Sequence, residues 1–319
     1  MPTAENRIDT AAQDAVNRLK QNLTAVILGK DDVIETVLVA LFAHGNILLE
    51  DVPGVGKTTL AKALAKSLTC DYKRIQFTPD LLPADILGGS IYKPQTGEFV
   101  FRAGPVFTNI LLADEVNRAS PRTQAALLEV MSEGQATIEG ELRPVEPPFM
   151  VVATQNPVEY HGTYPLPEAQ LDRFLLLLNI GYPPAEKEVE MVYARRTAQP
   201  LDTLEPVMTR AELLAIQHEV AQVEVEQSVA DYVVAVTAAT RNDARLRLGC
   251  SPRASLMLFR AAQALAFVRG RTYVIPDDVK ELIPAVLGHR VVADMSVGGD
   301  SSAKATIVAD IAAGIPLPA

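Results

Sequence analysis

The first part of the chain alternates short apolar runs with longer stretches of helical periodicity. Five segments predict strands because they are apolar or alternate polar and apolar positions: residues 47–49, 72–77, 110–114, 149–154 and 175–178. Apolar positions three or four residues apart predict helices at residues 9–28, from Asp31 or Asp32 to Phe42, after Lys57 and at 121–131. This alternation is typical of α/β proteins, so we expect a parallel sheet between helices.

The pattern changes at Pro183-Pro184, beyond which only helical periodicity remains. The helices predicted there are residues 185–196, 210–220, 228–240, 252–268 and 277–287. At 319 residues the chain is long for one core, because single cores seldom exceed ~250–300 residues. We therefore predict an α/β core with an N-terminal helix over residues 1–182, and a helical lid domain with a C-terminal tail over residues 183–319. Glycines and serines after Val291 indicate a partly disordered tail.

Two insertions interrupt the alternation of strands and helices. Residues 92–101 turn at Thr96-Gly97, and residues 135–145 turn at Glu139-Gly140-Glu141. Turn-forming residues between two alternating runs are typical of β-hairpins. We therefore predict one hairpin before the third strand of the core and another before the fourth.

One loop of the predicted core has the composition of a phosphate-binding loop. It follows the strand at 47–49 and precedes a helix with leucines four residues apart. In this context glycines let backbone N–H groups surround a phosphate, the lysine reaches the β- and γ-phosphates, and the threonine after it binds Mg²⁺. The nucleotide-contacting residues predicted in this loop are Asp51, Val52, Pro53, Gly54, Val55, Gly56, Lys57, Thr58 and Thr59.

This loop departs from the general pattern at its first position, where the chain has Asp51 instead of glycine. A surface turn that contains two glycines and a lysine by chance is the alternative interpretation. The strand before the loop, the helix after it and a second strand that ends in acidic residues favour the phosphate-binding loop.

Polar side chains at the ends of two further strands complete a candidate site. Asp114 ends the third strand and is placed to contact the nucleotide through Mg²⁺, which it would hold with Thr58. Glu115 follows it, where a general base could polarise the attacking water. Asn156 lies just beyond the fourth strand, and we expect it to orient that water because ligands gather at the carboxyl ends of parallel strands. The cofactors predicted for this site are ATP and Mg²⁺.

Composition limits the location of the chain and its further chemistry. No apolar run reaches the ~18 residues of a membrane helix, and residues 1–6 lack the basic start and apolar core of a secretory signal. We therefore expect a cytoplasmic protein that does not insert into membranes. Cys70, Cys250 and the four histidines lack metal-ligand spacing, so no other metal site is predicted.

The charge of the chain argues against nucleic acid as a partner. The formal net charge is −10 and the sequence pI about 5.0, whereas binding to DNA or RNA depends on neutralising phosphates. The second predicted hairpin and its end carry Glu139, Glu141 and Glu146 against Arg143 alone. A protein partner is therefore the favoured prediction.

Taken in order, these motifs resemble those of the AAA+ ATPases, and within them the MoxR family, over nearly the whole chain. The motifs that carry the resemblance are residues 53–58, 113–119, 154–157, 171–174 and 251–254. The resemblance implies an AAA+ P-loop core with a parallel five-stranded sheet between helices, and a C-terminal α-helical lid. It also implies that the two hairpins are the helix-2 and pre-sensor insertions. MoxR relatives have Asp as well as Gly where Asp51 stands.

The resemblance also assigns roles to single residues. Lys57 and Thr58 would form Walker A, and Asp114 and Glu115 Walker B. The other implied roles are sensor 1 for Asn156, arginine finger for Arg173 and sensor 2 for Arg253. A finger of this kind acts on the γ-phosphate bound by the neighbouring subunit, which implies a homo-oligomeric ring, expected to be a hexamer. The family is regarded as chaperone-like and often acts with proteins that carry a von Willebrand factor A domain, so we expect ATP-driven remodelling or activation of protein clients.

Several alternatives stay open at the level of the sequence. A magnesium-chelatase-like motor has the same site logic, and a nucleic-acid-directed motor has the same pre-sensor hairpin. A non-hydrolysing switch is disfavoured because Glu115, Asn156 and Arg173 serve hydrolysis. Arg118 is as consistent with a subunit contact as with an ordinary arginine at a helix start. Arg253 could act in its own subunit or in a neighbour. Residues 27–30 either contact adenine or contain only a glycine that ends a helix.

Overall fold

The computed structural model describes residues 10–157, 163–194, 200–294 and 300–318. Its helices are α1 (Thr10–Val26), α2 (Asp31–Phe42), α3 (Lys57–Ser67), α4 (Pro83–Leu87), α5 (Pro121–Glu133), α6 (Glu168–Leu171), α7 (Ala185–Ala194), α8 (Arg210–Val220), α9 (Gln227–Ala239), α10 (Pro252–Val268), α11 (Pro276–Leu287) and α12 (Ser301–Ala313). Its strands are β1 (Ile47–Glu50), β2 (Tyr72–Gln76), β3 (Gly88–Lys93), β4 (Glu98–Ala103), β5 (Ile110–Asp114), β6 (Gln135–Ile138), β7 (Glu141–Pro144), β8 (Met150–Gln155), β9 (Leu176–Leu178), β10 (Leu246–Leu248) and β11 (Val292–Ala293).

A five-stranded parallel sheet forms the centre of the fold, in the order β2-β5-β8-β1-β9. Inner strands of such a sheet are covered on both faces and are therefore mostly apolar, as the fully buried β5 is up to its last residue, Asp114. β2 lies at the edge, and Ile75 is its only buried residue. The predicted α/β fold is confirmed, and each predicted strand of the sheet is correct to within one residue at either end.

Hydrophobic cores cover both faces of this sheet. On one face α1, α2 and α3 pack over the strands, and the same cluster of buried side chains continues through Leu213 of α8, Leu258 of α10 and Val286 of α11. On the other face Leu111 packs with Leu127 of α5. The helical C-terminal part therefore shares a continuous core with the N-terminal helices.

The predicted helices beyond Pro184 are present. α8 and α10 have the predicted bounds, and α9 and α11 differ from theirs by one residue. α7 begins at the predicted residue, whereas positions 195 and 196 of that prediction lie outside the described residues. Among the helices that the structure describes, none has both the length and the hydropathy that a membrane crossing requires.

Both predicted hairpins are present as two-stranded antiparallel sheets, β3–β4 and β6–β7. They lie against each other at two contacts. Ser90 of β3 donates a hydrogen bond of 2.5 Å to Glu139 in the turn of the second hairpin, and the guanidinium carbon of Arg143 lies 3.8 Å from the ring centre of Phe101. The two insertions therefore form one connected surface.

The expectation of a disordered tail is wrong for residues Ser301–Ala313, which form α12. The side chain of Asp300 accepts a hydrogen bond of 2.6 Å from the backbone N–H of Ala303 and so caps this helix. Val308, Ile311 and Ala312 are buried against the preceding helices. Apolar burial and the cap therefore outweigh the glycine and serine content of the segment.

Candidate nucleotide-binding and catalytic site

The loop between β1 and α3 has the backbone of a phosphate-binding loop. Gly54 and Gly56 have φ values of 90° and 102°, a left-handed region that side-chain-bearing residues rarely adopt. A Cβ atom built at either glycine would meet nothing within 4 Å. The two glycines are therefore required by backbone conformation rather than by lack of space.

A cavity of about 230 Å³ adjoins this loop. Its walls are formed by residues of the turn between α1 and α2, of the loop itself and of the segment after β9, including Ile27, Leu28, Lys30, Val55, Ile180, Gly181, Tyr182 and Pro183. The apolar lining and the adjacent loop suit a flat base and its attached phosphates. The turn at 27–30 is thus part of the cavity wall, and Gly29, with φ of 71°, lies in this turn between α1 and α2.

Asp51 connects the loop to the segment that follows β9. Its Oδ2 accepts a hydrogen bond of 2.6 Å from the backbone N–H of Gly181, and its Oδ1 accepts one of 2.9 Å from Val52. The residue is only 9% exposed. A glycine at this position could not make these contacts, so the departure from the general P-loop pattern has a structural role.

Lys57 lies in the loop with its ammonium group turned back on the backbone. Nζ donates to the carbonyl oxygens of Asp51 and Val52. Burial lowers the pKa of Lys57, and the nearby carboxylates of Asp51, Asp114 and Glu115 oppose this shift. The ammonium group of Lys57 therefore lies near three negatively charged carboxylates.

Thr58 and Asp114 bring two oxygen ligands together. The hydroxyl of Thr58 lies 3.5 Å from Oδ2 of Asp114. The other carboxylate oxygen, Oδ1, accepts a hydrogen bond of 2.6 Å from the hydroxyl of Thr154 in β8. Mg²⁺ prefers oxygen ligands and uses few protein groups when phosphates supply others. The donor set therefore fits Mg²⁺, with Thr58 and Asp114 as the residues that would hold it.

Glu115 has an unusual backbone and two side-chain partners. Its φ and ψ are 57° and 51°, a left-handed conformation that is costly for a non-glycine residue. Its backbone N–H donates to the hydroxyl of Thr154. Oε2 accepts hydrogen bonds from Gln76 of β2 at 2.7 Å and from Arg118 at 3.1 Å. Arg118 thus pairs with Glu115 of its own chain.

Two residues at this site, Arg74 and Gln76, lie outside every motif on which the sequence-based prediction rests. Arg74 donates to Oδ2 of Asp114 from Nη2 at 2.7 Å and from Nε at 3.2 Å. It also donates to the side chain of Gln76 at 2.9 Å. The two residues are two positions apart on β2 and so face the same side of the sheet. Their spacing at the end of a strand was the available signal.

Asn156 lies one residue beyond β8 and is 5% exposed. Its carbonyl oxygen accepts a hydrogen bond of 3.4 Å from the side chain of Asn117. Both asparagines line a cavity of about 590 Å³ at the carboxyl edge of the sheet. The residue therefore has the position expected from the parallel strands, beside the turn that carries Glu115.

The two remaining arginines lie outside this cluster. Nη1 of Arg173 donates to the carbonyl of Leu128 at 2.8 Å and to the hydroxyl of Ser132, both on α5 of its own chain. Arg253 is exposed in the first turn of α10. Within the described ranges its side chain forms no hydrogen bond or ion pair. The structure therefore brings together the loop, Asp114 and Glu115, but neither arginine contacts them in the same chain.

Comparison with known protein families gives matches to two separate parts of the chain. Residues 46–176 match the ATPase family associated with various cellular activities (AAA), and residues 238–311 match the AAA lid domain. The chain is 48% identical to the uncharacterised protein YeaC of Bacillus subtilis over 93% of both chains. It is 44% identical to Chaperone MoxR1 of Mycobacterium tuberculosis over 92% of this chain and 80% of that protein. A crystal structure of a candidate ATPase from Cytophaga hutchinsonii has a TM-score of 0.87 and 36% identity, and covers 97% of this chain and 96% of its own.

The sheet, the lid and the phosphate-binding loop define a nucleotide-binding AAA+ ATPase. More narrowly, the chain belongs to the MoxR family of AAA+ ATPases, a family with a named chaperone among its members. The resemblance inferred from the motifs is thereby confirmed. The roles of the single site residues stay predictions.

Proposed function

We propose that this chain hydrolyses ATP with Mg²⁺ in a homohexameric ring and uses the reaction to remodel or activate protein clients. The observation that carries the proposal is the meeting of Lys57, Thr58, Asp114 and Glu115 at the carboxyl edge of one parallel sheet. A protein with a von Willebrand factor A domain is the partner class that the family resemblance suggests. The cytoplasmic location stays a prediction.

The nucleotide would be held by the loop from Asp51 to Thr59 and by the adjoining cavity. The backbone around Gly54 and Gly56 can turn N–H groups toward a phosphate, and the residues of the turn at 27–30 would contact the base. Thr58 and Asp114 would hold Mg²⁺, which supplies positive charge to the phosphate oxygens when it is bound. Lys57 would add a point charge on the β- and γ-phosphates.

Hydrolysis then requires groups that activate the attacking water and stabilise the negative charge that develops on the phosphate oxygens. Glu115 would polarise the attacking water and Asn156 would orient it. Arg173 would act as the arginine finger and Arg253 as sensor 2. By analogy with GTPases, a finger raises the rate by about 10³–10⁵-fold, so Arg173 carries much of the expected catalysis.

We further propose that Arg173 serves the neighbouring subunit and that the chain divides into a nucleotide-binding core over residues 1–182 and a helical lid over residues 183–319. The docking of Arg173 on α5 supports a trans role, because the side chain makes no contact with the loop of its own chain. Each active site would then need two chains.

Mixing two inactive variants tests this proposal. Glu115→Gln damages a chain's own pocket and keeps its finger, whereas Arg173→Ala damages the finger and keeps the pocket. With random assembly at equal amounts, roughly a quarter of head-to-tail interfaces pair an intact pocket with an intact finger. Steady-state ATPase activity should therefore return in the mixture, with co-assembly checked by a pull-down of one tagged variant. Mixed rings whose rate equals the sum of the two separate variants would exclude the trans role of Arg173.

A further inference from the structure

The most deeply buried cation of the described chain is Arg290, directly after α11, whose side chain is 0% exposed. Its guanidinium donates to the carbonyl oxygens of Val286, Asp172, Phe174 and Leu175 and, at 2.8 Å, to Oδ1 of Asp172. Burial lowers the pKa of Arg290 to about 10, and the charge of Asp172 opposes this shift, so the side chain is charged at neutral pH. Nothing in the proposed reaction uses this group.

Arg290 holds one short segment of the core, the turn between α6 and β9. Its contacts lie on both sides of Arg173, at Asp172 and at Phe174. The neighbouring His289 adds a contact of 3.1 Å between Nε2 and the carbonyl of Phe174. Two adjacent buried residues in the short turn after α11 therefore fix the backbone from which the proposed finger extends.

The second oxygen of Asp172 points to a different helix. Oδ2 accepts a hydrogen bond of 3.1 Å from the hydroxyl of Ser251. Ser251 has the N-cap position of α10, where a serine side chain ordinarily accepts a bond from the first turn of its helix. This serine makes no such cap. Its hydroxyl connects α10, which carries Arg253 in its first turn, to the residue before Arg173.

We propose that Asp172 is a positioning residue that couples the lid of a subunit to the finger that the same subunit offers to its neighbour. A movement of the start of α10, which carries the proposed sensor 2 residue Arg253, would be transmitted to Asp172 through Ser251. Because Arg290 holds the backbone of this segment at several carbonyl oxygens, a displacement of Asp172 would also displace Arg173. This inference rests on the proposed function, because it needs Arg173 to act in trans.

Ser251→Ala is the sharpest test because it removes the link and leaves both the Arg290–Asp172 pair and the caps of α10 as they are. Truncating Asp172 itself would leave Arg290 buried without a counter-charge and would destabilise the fold. Ser251→Thr keeps the hydroxyl and should behave like the parent. Thr209→Ala removes the cap of α8 elsewhere in the lid and serves as the matched control for weakened packing.

In the experiment, Ser251→Ala is added either to the Glu115→Gln chain or to the Arg173→Ala chain, and each double variant is mixed with the other single variant. When Ser251→Ala is in the Glu115→Gln chain, which donates the finger, we expect the ATPase rate of the mixture to fall by about tenfold. We expect this size because one hydrogen bond to a charged group is lost. In the Arg173→Ala chain, where no finger follows Asp172, the rate should stay at the reference. Ser251→Thr should restore the rate in the first case, and fluorescent-nucleotide affinity should be unchanged throughout.

Different outcomes separate the two proposals. A loss that appears only in the Arg173→Ala chain, or equally in both chains, would overturn the coupling, because Ser251 would then act on its own pocket or on stability. A loss with Thr209→Ala of the same size would overturn it as well. If the reference mixture regains no activity, the trans role of Arg173 fails, and the coupling that rests on it fails with it.

Discussion

The guanidinium of Arg74 lies against the carboxylate of Asp114, with Nη2 2.7 Å from Oδ2. The same oxygen faces the hydroxyl of Thr58 at 3.5 Å. The oxygen proposed as a Mg²⁺ ligand is therefore also the acceptor for a cation of the chain. Because two positive charges share one acceptor, Arg74 and Mg²⁺ should compete for Asp114.

Arg74→Gln should lower the Mg²⁺ concentration that gives half-maximal binding of ATP. The reason is that a full positive charge near a divalent ion opposes its binding, while Thr154 keeps Asp114 in place without Arg74. We expect a change of about tenfold, which corresponds to about 1.4 kcal/mol, well below the unscreened interaction of two such charges. The measurement is a Mg²⁺ titration of fluorescent-ATP affinity, repeated for the hydrolysis rate.

The matched control for this prediction is Arg102→Gln, which removes the same charge from the exposed side of the β3–β4 hairpin. It should leave the Mg²⁺ requirement unchanged. A higher Mg²⁺ requirement in Arg74→Gln would mean that Arg74 orients Asp114 for the metal instead of competing with it.

Asp51→Ala should weaken both nucleotide binding and folding. The substitution removes the acceptor for the N–H of Gly181 and frees the segment after β9 from the loop. A lost hydrogen bond to a charged acceptor that leaves its donor buried costs about 1–3 kcal/mol, so nucleotide affinity should fall by about tenfold or more. Fluorescent-nucleotide titration and urea unfolding measure the two effects.

Asp51→Asn is the comparison that separates the charge from the contact. An amide keeps one acceptor oxygen and the same shape, so it should retain part of the affinity that alanine loses. Equal affinities for the parent and Asp51→Ala would show that the connection between Asp51 and Gly181 is unimportant for the nucleotide.

The sequence predicts the strands of the central sheet well because buried parallel strands leave continuous apolar runs, as at Ile110–Asp114. The hairpins are equally visible because turn residues such as Thr96-Gly97 separate two alternating runs. α12 was missed because the glycines and serines near its start resemble a linker. The apolar spacing of Ile307, Val308 and Ile311 was the signal for that helix.

Contacts between distant strands could not be predicted in the same way. Arg74 meets Asp114 only because β2 pairs with β5, and local patterning says nothing about strand order. The hydrogen bond from Ser251 to Asp172 joins segments 79 positions apart. The local pattern, a serine directly before a helix, predicts a cap instead. Side-chain partners across the fold therefore require the tertiary structure.

Lys57→Ala and Glu115→Gln should fail in different ways. The first removes a point charge from the phosphates and should abolish ATP binding, whereas the second keeps the binding loop and should lose turnover only. Fluorescent-nucleotide titration beside a steady-state ATPase assay distinguishes them. If the two variants bind the fluorescent nucleotide with similar affinity, Lys57 does not have the proposed role in binding the phosphates.

His289 should make the stability of the protein depend on pH. The side chain is 4% exposed, and burial lowers its pKa to about 3, so it is neutral in the folded state and Nε2–H donates to the carbonyl of Phe174. In the unfolded chain the pKa is about 6.5. Below that pH the unfolded state takes up a proton that the folded state does not, and the free energy of unfolding falls as the pH is lowered toward 3.

Urea unfolding at pH 7.0 and pH 5.5 measures this contribution. Between these values one such histidine should cost about 1 kcal/mol of stability. His289→Gln cannot take up this proton, and its side-chain amide can still donate to the carbonyl of Phe174. Between pH 7.0 and 5.5 its free energy of unfolding should therefore fall by about 1 kcal/mol less than that of the parent. This difference is expected even if the variant is less stable than the parent at pH 7.0. His218→Gln, at an exposed position of α8, is the matched control and should keep the pH dependence of the parent. The same loss of stability in the parent and in His289→Gln would mean that His289 takes up a proton in the folded state as readily as in the unfolded chain.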